Sequence, residues 1–431
     1  MRKAVVLGGY GLIGAACMRA LASAGFAVTG VGRSRRAALT SNPDAAWVIR
    51  DIPSIEVAEW RELLADADVV VNAAGALQDG ARDDLEAIHV TTVSRLVEAA
   101  RGLALRIVQI SAAGVSPRAS TEFFRSKARG DAILAGGAQN WVILRPVLVL
   151  SPEAYGGTAL LRGMAGLPLV LPRVLPEIQV QTVHIDDLAE AVVAAGKRDV
   201  PSGLVADLTE PGMQSFATLV DRVRHWQGFP PPRFRPALPD AVLRVIGRGA
   251  DVLGHLGWRS PLRTTALQAL SDGIQGDPAA WQKAGGKPCR PLSAILESLP
   301  ATRQERLFAR FYFLLPLAIA VLALFWCASG GITLINPDRA MNVLEGRDVP
   351  RWIALPTAFG GALADILLGL GICWRPLARL AALGMIGLSA IYLAGSLVMA
   401  PDLWMDPLGP MAKVFPGMAL AAMVALLLEE R

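Results

Sequence analysis

A glycine-rich turn near the start of the chain constrains the fold more than any other feature. It follows a short apolar run, and residues 5–14 fit both G-x-G-x-x-G and G-x-x-G-x-x-G. Glycine permits positive φ and close backbone approach, so the stretch predicts a strand, a tight turn and a helix N-terminus. Backbone N–H groups at such a helix start favour negative charge, and we expect a pyrophosphate to bind there. The residues expected to line the turn are Gly8, Gly9, Tyr10, Gly11, Leu12, Ile13 and Gly14.

Short apolar runs alternate with helical patterns through the first part of the chain. After the glycine turn, the predicted strands cover residues 27–32, 47–50, 68–72 and 106–111, and helices are predicted at 12–24 and 83–101. Alternation at this spacing favours βαβ units and a parallel sheet with helices on both faces. We therefore predict an α/β, Rossmann-like, doubly wound sheet.

Arginines follow the second predicted strand, where a site that prefers NAD usually carries an acid for the ribose hydroxyls. Arg33, Arg35 and Arg36 stand at this point. Because a guanidinium pairs well with a 2′-phosphate, the sequence favours NADP(H) over NAD(H); a solvated loop is the alternative. Asp51, which follows the third predicted strand, is placed to meet the adenine edge.

Six landmarks occur in order along the first half of the chain. They are residues 8–14, Asn72-Ala73-Ala74-Gly75, Ser111, Phe123-x-x-x-Lys127, Leu144-Arg145-Pro146 and residues 183–189. Together they resemble the short-chain dehydrogenase/reductase superfamily over about residues 1–208. The resemblance is greatest to its extended and atypical branches, such as epimerase-like proteins and relatives of the NADPH-binding accessory subunit of respiratory complex I.

That resemblance assigns chemistry to several positions. In the superfamily a tyrosine four residues before a lysine exchanges the proton, the lysine holds the nicotinamide ribose, and a serine orients the substrate oxygen. Here Ser111 and Lys127 occupy two of these positions, but Phe123 occupies the tyrosine position and has no titratable proton. Tyr155 is the one plausible substitute; the alternative is a loop tyrosine that covers the cleft.

The same resemblance places further residues around the cofactor crevice. Ala73, Ala74 and Gly75 are expected to line it, and Arg145 is expected to brace the loop above it. His89 stands on a helix that borders the crevice in relatives, where a packing role and a site role are both open.

Residues 214–299 read as mostly helical and basic. Between residues 240 and 257, polar side chains recur at helical spacing opposite apolar ones. The polar set is Arg244, Arg248, Asp251 and His255, and the apolar set is Val242, Ile246, Ala250 and Leu253. Such an amphipathic helix lies either on a membrane surface or against its own domain.

The last part of the chain reads as a membrane domain. Residues 311–335 carry no charge, 352–374 carry only Asp365, 380–401 carry none, and 408–428 carry only Lys413. Each run is longer than the ~20 residues that a spanning helix needs, so we predict an all-α, four-helix transmembrane domain. An even number of spans places both termini on one side, and the arginines flanking the runs modestly favour a cytoplasmic N-terminal domain.

This block resembles DoxX-like membrane domains in residues 324–331 and 364–371. By that resemblance it is associated with membrane redox chemistry, including a quinone-reducing complex. Asp365 is an ionisable residue within a predicted span, and such residues are costly to bury. Its role is open between a proton carrier or polar ligand contact and a hydrogen bond between helices.

The charge distribution and the cysteine spacing argue against nucleic-acid-binding and metal-binding functions. Residues 1–310 hold 35 Lys and Arg and 29 Asp and Glu, against 7 and 8 in residues 311–431, so a domain boundary is expected near residue 310. The basic residues are scattered among acids without interleaved aromatics, which argues against nucleic-acid binding. The four cysteines show no metal-binding spacing with the four histidines, so no metal is expected.

These observations predict three regions: a NAD(P)-binding domain at 1–208, a helical extension at 209–305 and a membrane domain at 306–431. The leading hypothesis is a multi-pass inner-membrane oxidoreductase that passes reducing equivalents from NADP(H) to a quinone or another lipid-soluble substrate. The alternatives are a non-catalytic NADPH-binding scaffold or redox sensor, and an epimerase or dehydratase.

Overall fold

A computed structural model of the chain describes residues 1–77, 84–258 and 260–429. The chain divides into two units. One comprises Met1–Asp251 and Ser260–Ala309, and the other comprises Val252–Arg259 and Arg310–Arg431. The helical extension predicted after residue 208 therefore lies in the same unit as the sheet up to Asp251, and again from Ser260 onward.

The strands of the described residues all lie in the first unit. They are β1 (Lys3–Leu7), β2 (Ala27–Gly32), β3 (Ala46–Ile49), β4 (Val69–Asn72), β5 (Arg106–Ile110), β6 (Trp141–Pro146), β7 (Leu148–Leu150), β8 (Gln179–Val180), β9 (Thr182–His184), β10 (Leu204–Leu208) and β11 (Gln214–Ser215).

The helices follow in chain order. The first eight are α1 (Leu12–Ser23), α2 (Arg35–Ser41), α3 (Val57–Leu64), α4 (Thr92–Ala99), α5 (Glu122–Gly137), α6 (Gly156–Ala165), α7 (Ile185–Lys197) and α8 (Phe216–Trp226). The others are α9 (Asp240–His255), α10 (Thr264–Ser271), α11 (Ala279–Lys283), α12 (Leu292–Ser298), α13 (Arg303–Ile335), α14 (Pro337–Glu345), α15 (Arg351–Gly371), α16 (Arg375–Met399) and α17 (Val414–Glu429).

Seven parallel strands form the main sheet in the order β10-β6-β5-β4-β1-β2-β3. The strand order reverses between β1 and β4, so the sheet is doubly wound as predicted. In sheets of this kind ligands bind outside the carboxyl ends of the strands at the reversal point. That point is the end of β1, where the glycine turn begins.

Strand β1 is apolar without alternation because helices cover both faces of the sheet. Val6 packs into the core that includes Leu21 of α1 and Leu188 of α7. Leu7 points to the other face, into the core that includes Trp60 of α3. All five of these side chains are fully buried, and this burial fixes the strand that carries the turn.

Strand boundaries agree with the sequence prediction to within one residue at each predicted strand after the turn. The helix predicted at 83–101 differs in one respect. Asp83 lies outside the described residues, and the helix contains a π-helical turn, Ala87–Thr91, before α4 begins. Apolar periodicity gave no sign of this turn.

Three helices of the described chain are long and apolar enough to cross a membrane: α13, α15 and α16, with 33, 21 and 25 residues. The fourth predicted span, at 408–428, is helical only from Val414, and α17 has 16 residues. At ~1.5 Å per residue α17 is ~24 Å long, against ~30 Å of hydrocarbon. A short helix, α14, lies between the first two spans.

Candidate cofactor-binding site

The glycine turn uses one of its two possible registers. Gly8 has a φ of +70°, which favours glycine, and the Gly11 N–H donates to the Gly8 carbonyl at 2.8 Å. A Cβ at Gly14 would clash with the same carbonyl oxygen. Gly9 instead packs against Met18 of α1. The G-x-x-G-x-x-G register formed by Gly8, Gly11 and Gly14 therefore shapes the turn.

The turn leaves the start of α1 open to an anion. Gly11 is the N-cap of α1, and no side chain among the described residues caps it. The first turn of a helix presents N–H groups without intrahelical partners, together with the positive end of its dipole. The N-terminus that carries Leu12 and Ile13 thus fits a pyrophosphate.

The end of β2, the strand next to β1, also borders the glycine turn. The N–H groups of Gly8 and Gly9 both donate to the carbonyl of Val31 in β2, at 2.9 and 3.3 Å. Arg33 follows β2 directly and therefore lies beside the turn. Tyr10 packs on Gly32, where a Cβ would meet its ring.

Strand β3 closes this side of the site. The ring of Tyr10 lies 6.3 Å from that of Trp47 in β3. Asp51 is exposed, and it follows β3 at the same edge of the sheet.

The loop after β4 forms the other wall of the site. Asn72 donates from Nδ2 to Gln109 Oε1 at 2.9 Å, and its Oδ1 accepts from the Ala74 N–H at 3.2 Å. These bonds tie the start of the loop at residues 73–75 to the ends of β4 and β5. A Cβ at Gly75 would lie 3.6 Å from His89 Nε2 and 3.8 Å from Lys127 Nζ. Two polar groups therefore face the loop that the sequence predicted to line the crevice.

Lys127 is buried on α5 and keeps one fixed hydrogen bond. Its Nζ donates to the Ile110 carbonyl at 3.0 Å and lies 5.6 Å from the centre of the Phe123 ring. Burial lowers the pKa of Lys127 to about 8, and the charge of Asp131 opposes that shift. The ammonium retains N–H groups that can donate to a ligand hydroxyl.

His89 lies within the π-helical turn and directs one nitrogen at the same place. Its Nδ1 is 2.8 Å from Ser126 Oγ, and that hydroxyl gives its one proton to the Phe123 carbonyl at 3.2 Å. While Ser126 makes that bond, Nδ1 carries the imidazole proton and Nε2 is left as an acceptor. Burial, with the charges of Lys127 and Arg129, lowers the pKa of His89 to about 3, so the ring is neutral.

The Nε2 atom of His89 is buried and has no hydrogen-bond partner among the described residues. Sequence reasoning left this histidine open between packing and a site role. The π-helical turn that carries His89 supports a site role, because such turns occur frequently at functional sites. An acceptor at His89 and a donor at Lys127, both beside Gly75, together suit a hydroxyl group.

Comparison with known proteins agrees with this geometry. Residues 8–195 match the NAD(P)H-binding family, and residues 323–422 match the DoxX-like family. The chain joins an NAD(P)-binding Rossmann domain to a DoxX-like domain. The glycine turn and the uncapped helix start fit the pyrophosphate of such a cofactor.

Three similar proteins illustrate the likeness. The chain is 28% identical over 218 residues to an uncharacterized chloroplastic protein of Arabidopsis thaliana, covering 46% of this chain and 72% of that one. It is 23% identical over 175 residues to a Dictyostelium discoideum mitochondrial protein, subunit 9 of the NADH dehydrogenase [ubiquinone] 1 alpha subcomplex. That match covers 41% of this chain and only 47% of the relative.

The fold also matches a solved enzyme. The Bordetella bronchiseptica enzyme WbmH, in complex with NAD⁺, superposes with a TM-score of 0.52 and 21% identity. The match covers 72% of this chain and 99% of WbmH. At this identity the likeness shows the fold of the NAD(P)-binding domain.

Ser111 lies at the end of β5, but its hydroxyl is already engaged. It donates to Asp131 Oδ2 at 2.8 Å, and the same oxygen accepts from Arg145 at 3.0 and 3.3 Å. Burial raises the pKa of Asp131, while Ser111 and Arg145 oppose the shift. Arg145, expected over the cofactor loop, thus forms an ion pair with α5.

Tyr155, the predicted substitute proton donor, lies just before α6 with 60% of its surface exposed. None of the hydrogen bonds or ring contacts among the described residues joins its side chain to Lys127, His89 or Phe123. The described site therefore contains Lys127 and His89 but no tyrosine hydroxyl beside them.

In the DoxX-like domain, Asp365 lies in α15 and is 5% exposed. Ser329 of α13 donates to its Oδ2 at 2.7 Å, and Tyr392 of α16 donates to its Oδ1 at 2.9 Å. The carboxylate thus bridges the three long apolar helices by hydrogen bonds. Of the two roles left open by the sequence, this geometry favours the bond between helices.

Proposed function

We propose that the protein is a membrane-anchored, NADP(H)-binding oxidoreductase of the short-chain dehydrogenase/reductase type. Its substrate is a quinone or another lipid-soluble or membrane-associated molecule. The observation that carries the proposal is that one chain holds both the site at Gly75 and the three apolar helices α13, α15 and α16. A bound nicotinamide cofactor would supply hydride transfer.

Each part of the site would make its own contribution to binding. The backbone around Gly8, Gly11 and Gly14 would hold the pyrophosphate. Arg33 would hold a 2′-phosphate and so favour NADP(H). Lys127 would donate to a ribose hydroxyl, and His89 Nε2 would accept from it.

The proposed location is the inner membrane of a bacterial-type cell, with the NAD(P)-binding domain in the cytoplasm. The argument is the source of the cofactor, since nicotinamide dinucleotides are made and used in that compartment. The arginines beside the spans modestly favour the same orientation.

Titration calorimetry tests cofactor binding, on which this proposal depends. The full chain, purified in detergent, should bind NADPH at least about 10-fold more tightly than NADH, because a charged hydrogen bond contributes ~1.5–3 kcal/mol. Oxidation of NADPH by short-chain quinones then tests the acceptor. A protein that binds neither cofactor contradicts the proposal entirely.

A second function has a specific observation in its favour. Phe123 lacks a hydroxyl, and the Ser111 hydroxyl is donated to Asp131, so neither superfamily hydroxyl is free to orient a substrate oxygen. A general acid contributes ~10²–10⁴-fold to such reactions. These facts support a scaffold or redox sensor that holds NADPH without turning it over. Tight NADPH binding with no turnover of any quinone or lipid carbonyl would favour this function, and measurable turnover would exclude it.

A further inference from the structure

Helix α9 presents three distinct faces. One face is buried and consists of Leu243, Gly247 and Ala250. It packs on α10, where a Cβ at Gly247 would lie 3.1 Å from Thr264 Oγ1. The apolar face predicted from the sequence included Ala250. In the structure Ala250 instead belongs to the buried face, which packs within its own unit.

The second face is apolar and exposed. Its side chains are Val242, Val245, Ile246, Val252 and Leu253, which are 40, 68, 37, 62 and 45% exposed. At ~100° per residue they form a continuous stripe ~120° wide, the width typical of a helix that buries one side. The stripe stays exposed among the residues that the structure describes.

The third face carries cations along one border of the stripe. Arg244 and Arg248 are exposed, and His255 follows them at helical spacing. A helix with an apolar stripe beside basic residues is suited to a lipid surface, with its axis in the plane of the membrane. The basic border would meet anionic headgroups.

The end of α9 identifies the occupant. Val252–Arg259 belongs to the same unit as the spanning helices. Trp258 donates from Nε1 to the Cys373 carbonyl at 2.7 Å, and the Arg375 N–H donates to the Leu256 carbonyl at 3.0 Å. Cys373 lies in the turn between α15 and α16, and a turn between two spans lies at the boundary of the bilayer. Trp258 and Trp374 are of the type that concentrates at that boundary.

We propose that α9 is an interfacial helix whose exposed stripe is buried in the bilayer at the end of the α15 and α16 spans. Val245 and Val252 contact acyl chains, and Arg244 and Arg248 contact anionic phosphate headgroups. This role does not depend on which cofactor the first unit binds.

Fluorescence quenching in proteoliposomes tests the inference on the full chain. Cys327 and Cys373 are replaced by Ser, and the buried Cys17 and Cys289 are kept. One exposed cysteine is then introduced by Val245→Cys or by Val252→Cys, with Arg244→Cys as the matched control on the polar face. Each is labelled with an environment-sensitive dye. Nitroxide groups on lipid acyl chains quench from within the bilayer, and iodide quenches from water. Monodisperse elution in detergent shows that each variant is folded.

We expect nitroxide lipids to quench the dye at Val245→Cys and Val252→Cys several-fold more than at Arg244→Cys, with the opposite order for iodide. Adding phosphatidylglycerol to phosphatidylcholine vesicles should increase the lipid quenching, and Arg248→Gln should reduce that increase. Equal iodide quenching at all three sites would overturn the inference. So would protection from iodide without lipid quenching, because a second copy or a protein partner would then cover the stripe.

Discussion

Gly14 lies in close contact with the Gly8 carbonyl, so a side chain at this position is predicted to weaken cofactor binding. Gly14→Ala places a methyl group on that oxygen, and the turn must move, at a cost of about 1–3 kcal/mol. We expect NADPH binding to fall by more than about 10-fold in calorimetry. Gly136→Ala is the control, because a Cβ there meets nothing within 4 Å. Equal affinity of both variants for NADPH would show that the turn does not bind the cofactor.

The choice between cofactors is predicted to depend on Arg33. Arg33→Ala should weaken NADPH binding by about 10- to 100-fold, since hydrogen bonds to charged groups contribute ~1.5–3 kcal/mol. The affinity for NADH should change little, because NADH lacks the 2′-phosphate. The ratio of the two dissociation constants is the readout. An unchanged ratio would assign Arg33 to the solvated loop that the sequence left as the alternative.

Lys127 is predicted to make cofactor binding depend on pH. Burial lowers its pKa to about 8, so the ammonium loses its proton as the pH rises past about 8. NADPH affinity should therefore fall above this pH, whereas Lys127→Arg should bind NADPH without that pH dependence, because arginine stays charged.

The same shift affects stability. In the unfolded chain Lys127 keeps its ammonium proton up to a pH of ~10.4. Between these values the free energy of unfolding should rise with pH in the wild-type protein.

How much of the site the sequence predicts differs from residue to residue. Gly8 and Gly14 were identified because backbone geometry imposes glycine, and a family pattern preserves their spacing. The site role proposed for His89 could not be derived from the sequence, because it depends on where a π-helical turn places the ring and on the contact of Nδ1 with Ser126. Nor could the sequence show that Ser111 donates to Asp131.

At the scale of elements, Asp365 is predicted to hold three helices together. Asp365→Leu would leave the hydroxyls of Ser329 and Tyr392 without their partner, and each buried group left unpaired costs ~1–3 kcal/mol. We expect a clearly lower thermal unfolding midpoint in detergent. Asp365→Asn keeps an acceptor oxygen and should lose much less. If both variants match the wild-type midpoint while quinone reduction is lost, Asp365 acts in transport or chemistry instead.

Most element boundaries follow from sequence pattern because they are set by local chemistry. Strand β2 ends at Gly32 and helix α1 begins after Gly11, as glycine spacing indicates. The start of α17 at Val414 does not follow from apolar content, since residues 408–413 are as apolar as a helix needs but contain Gly409 with a φ of +58° and Pro410. A positive φ and a proline together prevent α17 from extending back through these residues.

At the scale of the whole molecule, the division into two parts is visible in the charge distribution. Asp365 is the one charged residue within the apolar runs 311–335, 352–374 and 380–401, because a charge in hydrocarbon is costly. Charge content does not reveal that the stretch Val252–Arg259 groups with the spanning unit. That grouping depends on contacts such as the bond from Trp258 to the Cys373 carbonyl, which link residues far apart in sequence.

The length of α17 decides the topology and makes the last prediction. A helix of ~24 Å falls short of a ~30 Å hydrocarbon core, but thinning of the bilayer accommodates such a mismatch at a modest cost. Its 16 residues carry no charge before Glu429, so leaving it in water would expose a fully apolar helix. We therefore expect α17 to span and the C-terminus to be cytoplasmic.

Fusion proteins test this topology. Green fluorescent protein fused after the last residue should fluoresce in bacteria, and alkaline phosphatase fused there should be inactive. A phosphatase fusion at Asp348, between α14 and α15, should be active as the control. Active phosphatase at the C-terminus would instead show three spans, with α17 lying outside the membrane core.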